Sequence, residues 1–119
     1  MFDFEKLTAY SKAKLFNIKI KKDILSIKTL EKTTKDQLRR AALSIVLNIA
    51  ESTSRFSNAD KRHFYIIARG SLIESIATLD LLKDEFVITQ EQFLEFYKPG
   101  EELSKILYVL IKGLEKDAA

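Results

Sequence analysis

Apolar residues recur every three or four positions along almost the whole chain, and little interrupts them. Three glycines and one proline in 119 residues leave few places for tight turns. No stretch sustains the period-two alternation of a half-buried strand. The chain is therefore expected to be all-α. The spacing of Ala9, Ala13, Phe16, Ile20, Ile24 and Ile27 predicts a first helix from about Phe4 to Ile27, with lysines on its other sides. Thr34 with Gln37 forms a T-x-x-Q capping box, which places a second helix at about 35–52. Ser57 followed by Asp60 opens a third helix at about 58–84, with an acid in its positive first turn. Thr89 with Gln92 repeats the capping box before a fourth helix at about 90–115. Pro99-Gly100 lies inside that helix. A proline there removes one hydrogen bond and clashes with the preceding turn, so a kink or break is expected. The short connections favour one domain over 1–119, an antiparallel up-down-up-down four-helix bundle.

The middle two helices are apolar on more than one side. On a helical wheel Leu38, Ala42, Ile45 and Ile49 share the bundle-facing direction, while Leu43, Leu47 and Ala50 lie almost opposite. In the third helix Phe64, Tyr65, Ala68, Leu72, Ile76, Leu79 and Leu82 make one broad face, and Ile66, Ile73 and Ala77 a second. A monomeric bundle buries one stripe per helix, so the second faces predict a homo-oligomer with Leu43, Leu47, Ile66, Ile73 and Ala77 at the interface. Between the apolar faces runs a polar stripe of Gln37, Arg40, Ser44, Asn48 and Glu51, answered by Ser71 and Glu74. These seven residues are expected to meet as a buried network that fixes register and partner, with Arg40–Glu74 as its ion pair. The competing reading is a binding or catalytic site. Gly70 is expected where two helices approach closely, since glycine is otherwise unfavourable in mid-helix.

Cysteine is absent, which excludes disulfides, zinc-thiolate sites and a cysteine nucleophile. The start MFDFEKL lacks the basic and then apolar run of a signal peptide, and no segment is apolar enough to span a bilayer. A cytoplasmic protein with no membrane association is the expectation. His63 is the single histidine. No Glu-x-x-His pair and no phosphate-binding glycine loop occurs, so neither a metal, a cofactor nor catalysis by His63, Glu51 and Glu74 is expected.

Charge is the strongest functional clue. Residues 1–70 hold fifteen Lys/Arg and seven Asp/Glu, a balance of +8, and residues 71–119 hold five and ten, a balance of −5. Lys12, Lys14, Lys19, Lys21, Lys22, Arg39, Arg55, Lys61 and Arg62 are the candidates for phosphate contacts with RNA or DNA. The alternative is complementary charge within the bundle or between subunits. Phe56, beside Arg55, is either a stacking surface for a base or a hydrophobic staple at the entrance of the third helix.

The segments QLRRAALSIVLNIAES, Arg55 and ARGSLIE carry a family pattern. It is met by Gln37, Leu38, Arg39, Arg40, Ala41, Ser44, Ile45, Asn48, Ile49, Ala50, Glu51, Arg55, Ala68, Gly70, Ser71 and Glu74. Over 37–74 the chain resembles the bacterial four-helix-bundle proteins encoded in intervening sequences of 23S ribosomal RNA genes. More distantly, it is similar to the accessory variability protein of diversity-generating retroelements. The resemblance implies a ring-like homopentamer and no known enzymatic activity. For the retroelement relatives it implies a basic barrel that binds nucleic acid and a reverse transcriptase. Ser52 stands where the family usually has glycine, and Thr34 where leucine is common. A non-enzymatic oligomer that binds nucleic acid, ribosomal RNA among the candidates, is the leading expectation. The alternative is a protein–protein adaptor or structural ring.

Overall fold

The computed structural model describes residues 1–118, with side chains described as far as Glu115. Its elements are a 3₁₀ turn at Asp3–Lys6, helix α1 at Thr8–Lys19 running into a π turn at Ile20–Ile24, α2 at Lys32–Ser52, α3 at Asn58–Asp84 and α4 at Gln90–Ala118. No strand occurs among the described residues. The helices pack into a bundle 46 × 25 × 22 Å.

The single first helix expected over Phe4–Ile27 is divided. Leu7 is extended, with φ −85° and ψ 125°, and separates the 3₁₀ turn from α1. At the other end the Leu25 N–H donates to the Ile20 carbonyl at 3.0 Å, the wider π pattern. The extra residue in that turn lets Ile20, Ile24 and Leu25 all reach the core.

Helix α2 begins three residues before its expected start. Glu31 is its N-cap and makes no side-chain cap bond, so the Thr34–Gln37 box is not used. Buried Leu30 anchors the approach to α2 instead. The later caps form as the sequence predicts. Ser57 Oγ accepts the Asp60 N–H at 3.1 Å. Thr89 Oγ1 accepts the Gln92 N–H at 3.0 Å, while Gln92 Oε1 accepts the Thr89 N–H at 2.8 Å. Helix α3 closes in a Schellman turn. The Val87 N–H donates to the Leu82 carbonyl and the Phe86 N–H to the Lys83 carbonyl, with Phe86 at φ 62°.

Pro99 does not break α4, which is helical throughout. Pro99 and Glu95 are both exposed, so the Glu95 carbonyl that loses its donor lies on the solvent side. The bundle-facing residues of α2 behave as the wheel requires. Leu38, Ala42, Ile45 and Ile49 are fully buried, and full burial of each isoleucine or leucine stabilises by roughly 1.5–3 kcal/mol. They join Leu72 and Leu79 of α3, Leu103 and Leu107 of α4, and Phe16 against Phe96, whose rings meet edge-on at 5.8 Å. Close helix approach occurs at Gly100, not Gly70. A Cβ on Gly100 would lie 2.7 Å from Ile76 Cδ1, whereas one on Gly70 would meet nothing within 4 Å.

Candidate nucleic-acid interface and oligomer face

The polar stripe assembles only in part. Asn48 Nδ2 donates to the Ser44 carbonyl at 2.8 Å and to Ser44 Oγ at 2.9 Å, and Ser71 Oγ donates to Ser44 Oγ at 2.9 Å. This half-buried trio ties α2 to α3. Gln37, Arg40, Glu51 and Glu74 are exposed in the protomer, and Arg40–Glu74 is not a pair. Among the described residues no carboxylate pairs with Arg40, and Glu51 pairs instead with Arg55. Ser44 meets Ser71, while the Arg40 and Glu74 side chains both face solvent instead of each other. Thr53, Ser54 and Arg55 donate to carbonyls three residues back, so the spiral of α2 continues to Arg55 before the chain reverses.

Ser52 contributes to that ending. Buried, it donates its hydroxyl to the Ile49 carbonyl at 2.6 Å. Thr53 does so to Ala50 at 2.7 Å and Ser54 to Glu51 at 2.8 Å. Three successive hydroxyls therefore give carbonyls near the helix end a further donor, beside the Thr53 and Ser54 N–H groups already on Ala50 and Glu51.

Leu43, Leu47, Ile66, Ile73 and Ala77 are all exposed, with Leu47 and Ile73 each showing about half of their surface. Gly70 lies on the same stripe of α3. Beside it an open cavity of about 600 Å³ lies in the outer groove between α3 and α4, lined by Ile73, Ile76, Ala77, Tyr97 and Gly100 among others. Sequence reasoning missed the α4 side of this face. The Pro99-Gly100 pair was its one available sign, since buried glycine removes the side chain that would fill the groove.

The nine basic candidates divide into two groups. Lys12 pairs with Glu102 at 2.7 Å, and Lys19 with Asp23 at 3.0 Å and Glu95 at 3.1 Å. Arg39 pairs with Asp36 at 3.0 Å, and Arg55 pairs with Glu51. Hydrogen bonds donated to Asp23 and Glu95 hold the Lys19 ammonium above the usual lysine range. The charge asymmetry is thus partly internal: α4 acids neutralise α1 lysines. Lys14, Lys21, Lys22, Lys61 and Arg62 have no carboxylate within 4 Å among the described residues. Lys14, Lys21 and Lys22 are exposed, and Lys61 and Arg62 half-buried. Lys21 and Lys22 stand on the π turn.

Phe56 is fully exposed, so it is not a staple. The Arg55 guanidinium lies over Phe64 at 4.5 Å instead. Residues weighed for acid–base chemistry do not converge. Glu51 lines a cavity near Thr53 and Ser54 that includes neither Glu74 nor His63. His63 rests edge-on to Phe64 at 5.5 Å. Among the described residues no group of three or more His, Cys, Asp or Glu is placed to hold a metal ion. No described helix is long and apolar enough to cross a membrane.

Fold and surface together define a four-helix-bundle protein with unpaired cations and a solvent-facing apolar stripe. Residues 5–109 match the model of the 23S rRNA-intervening sequence protein family, and the chain belongs to that family. It is also similar to a crystal structure of a protein of unknown function from the S23 ribosomal protein family of Bacteroides thetaiotaomicron. That similarity has 27% identity and a TM-score of 0.82, covering 87% of this chain and 98% of the other. No curated protein matches the chain.

Proposed function

We propose that the protein is a cytoplasmic, non-enzymatic, ring-like homo-oligomer of antiparallel up-down-up-down bundles that binds nucleic acid, with ribosomal RNA as the first candidate. The observation that carries the binding reading is the set of cations left without carboxylate partners: Lys14, Lys21, Lys22, Lys61 and Arg62. Structural ion pairs consume the other four candidates, so these five are the ones available to phosphates. The family's association with 23S rRNA genes agrees with an RNA ligand. The helix order is supported by contacts that run in opposite directions along neighbours: Lys12 with Glu102 and Lys19 with Glu95, then Lys83 over Phe93 and Arg69 with Ser104. Assembly is supported by the outward stripe of Leu43, Leu47, Ile66 and Ile73 and by the cavity beside it, which a sister chain would cover.

Fluorescence anisotropy with labelled RNA and DNA across a salt series tests the binding. Affinity should fall steeply with salt, and Lys21→Glu with Lys22→Glu should lower the log–log salt slope by about 2. No binding at low salt, or binding that the double variant leaves unchanged, refutes the reading. A ring that assembles in light scattering yet binds no nucleic acid would instead support a structural ring or protein adaptor, the reading favoured by the open α3–α4 cavity.

A further inference from the structure

Both ends of α3 carry an outward phenylalanine. Phe56 precedes its first turn and Phe86 follows its last, and both are almost wholly exposed. An aromatic ring in water at a turn contributes nothing to the core, so each invites a functional reading. Their surroundings differ in sign. From Arg55 to His63 there are three cations, Arg55, Lys61 and Arg62, against one acid, Asp60. From Asp80 to Phe86 there are three acids, Asp80, Asp84 and Glu85, against one cation, Lys83, which itself bridges Asp80 and Asp84. At 27 residues α3 is about 40 Å long, so the two settings are separate sites.

We infer that Phe56 is a base-stacking platform, and that the turn between α2 and α3 takes single-stranded rather than double-stranded nucleic acid. This rests on the proposed nucleic-acid binding and specifies its ligand. In a duplex both faces of every internal base are already stacked, so an exposed phenyl ring gains little there. A single strand offers free base faces, and a ring flanked by cations can stack one base while Lys61 and Arg62 hold the adjoining phosphates. The local packing leaves the ring free for this. Arg55 is engaged by Glu51 and Phe64, and the helix entrance is capped by Ser57, so within the protomer the Phe56 ring packs against nothing. Phe86 cannot serve the same ligand, because phosphates would meet Asp84 and Glu85. A membrane surface fits Phe56 less well. Its neighbours Ser57, Ala59 and Asp60 are exposed and offer no large apolar side chain to enter a bilayer beside it.

The chain has no tryptophan, so Phe56→Trp supplies a single emitting reporter. Its emission should be quenched on titration with a short single-stranded RNA and stay unchanged with the same sequence as a duplex. By anisotropy, Phe56→Ala should weaken single-strand binding roughly five- to hundredfold and duplex binding hardly at all. Its melting temperature should match the parent's, which separates lost stacking from lost fold. If the parent protein binds single strands but Phe56→Ala binds them equally well, stacking is refuted and the wider reading survives. Equal losses for both ligands also refute it. If the parent binds neither ligand, both readings fail together. A blue shift of the Phe56→Trp emission with anionic phospholipid vesicles, without quenching by RNA, would assign the ring to a membrane surface instead.

Discussion

Gly70→Ala should act in opposite directions on the protomer and on the assembly. Gly70 lies in the middle of α3, and a Cβ there meets no atom within 4 Å of the protomer. Alanine is favoured over glycine inside a helix by roughly 0.5–1 kcal/mol. With about 2.1 cal/mol/K of unfolding entropy per residue, a chain of this length should melt about 2–4 °C higher when dissociated. In the proposed ring the same methyl group enters a covered seam. Gly70 is four residues from Ile66 and three from Ile73, on the exposed stripe assigned to a sister chain. Overpacking a fitted contact costs about 1–3 kcal/mol, which is roughly a five- to hundredfold weaker association per interface. Circular dichroism melting at high dilution reads the first effect, and light scattering over a concentration series reads the second. A dissociated variant that melts no higher would show that α3 is not free of neighbours at this position. A variant that assembles as tightly as the parent would remove the sister chain from the stripe.

Three further substitutions address α2 and its seam with α3. Ser44→Ala leaves Asn48 and Ser71 without their shared oxygen and should destabilise by about 1 kcal/mol in urea unfolding, while Glu74→Ala, at an exposed carboxylate, should leave the dissociated protomer unchanged. The Asp36 carboxyl is held below its ordinary range first by the hydrogen bond from Lys32, with Arg39 adding to it. Its contribution is therefore present above the unfolded carboxylate pKa and is lost as pH falls through the lower folded value. Acid unfolding followed by circular dichroism should be slightly less steep for Asp36→Asn, and an identical acid limb would show that the pair contributes nothing.

The readable parts of the fold were those fixed by local chemistry. Ser57 with Asp60 and Thr89 with Gln92 mark where α3 and α4 start, because each cap satisfies backbone donors within its own turn. The alternation of buried Leu38, Ala42, Ile45 and Ile49 with exposed Leu43 and Leu47 follows from the wheel alone. Parts decided by tertiary packing were not legible. Thr34 and Gln37 match a cap pattern, yet Leu30 sinks into the core and starts α2 earlier. The four-residue step from Ile20 to Ile24 suits an α-helix and a π turn equally. The expected Arg40–Glu74 pair depended on the direction in which each side chain leaves its helix, and both face solvent. For the candidate site, residue type identified the cations but not their partners. Lys12 and Lys19 look as free as Lys21 and Lys22 until α4 is laid beside them.

The hydroxyl run that finishes α2 bears on how its turn looks to an approaching polyanion. The last carbonyls of a helix sum to about half a negative charge, and here they sit next to Arg55 and Phe56. Ser52, Thr53 and Ser54 each point a proton at one of them, so the repulsive pole is muffled from within the chain. Alanines at these three positions would leave every lysine and arginine in place and still make the turn a less welcoming landing point for phosphate.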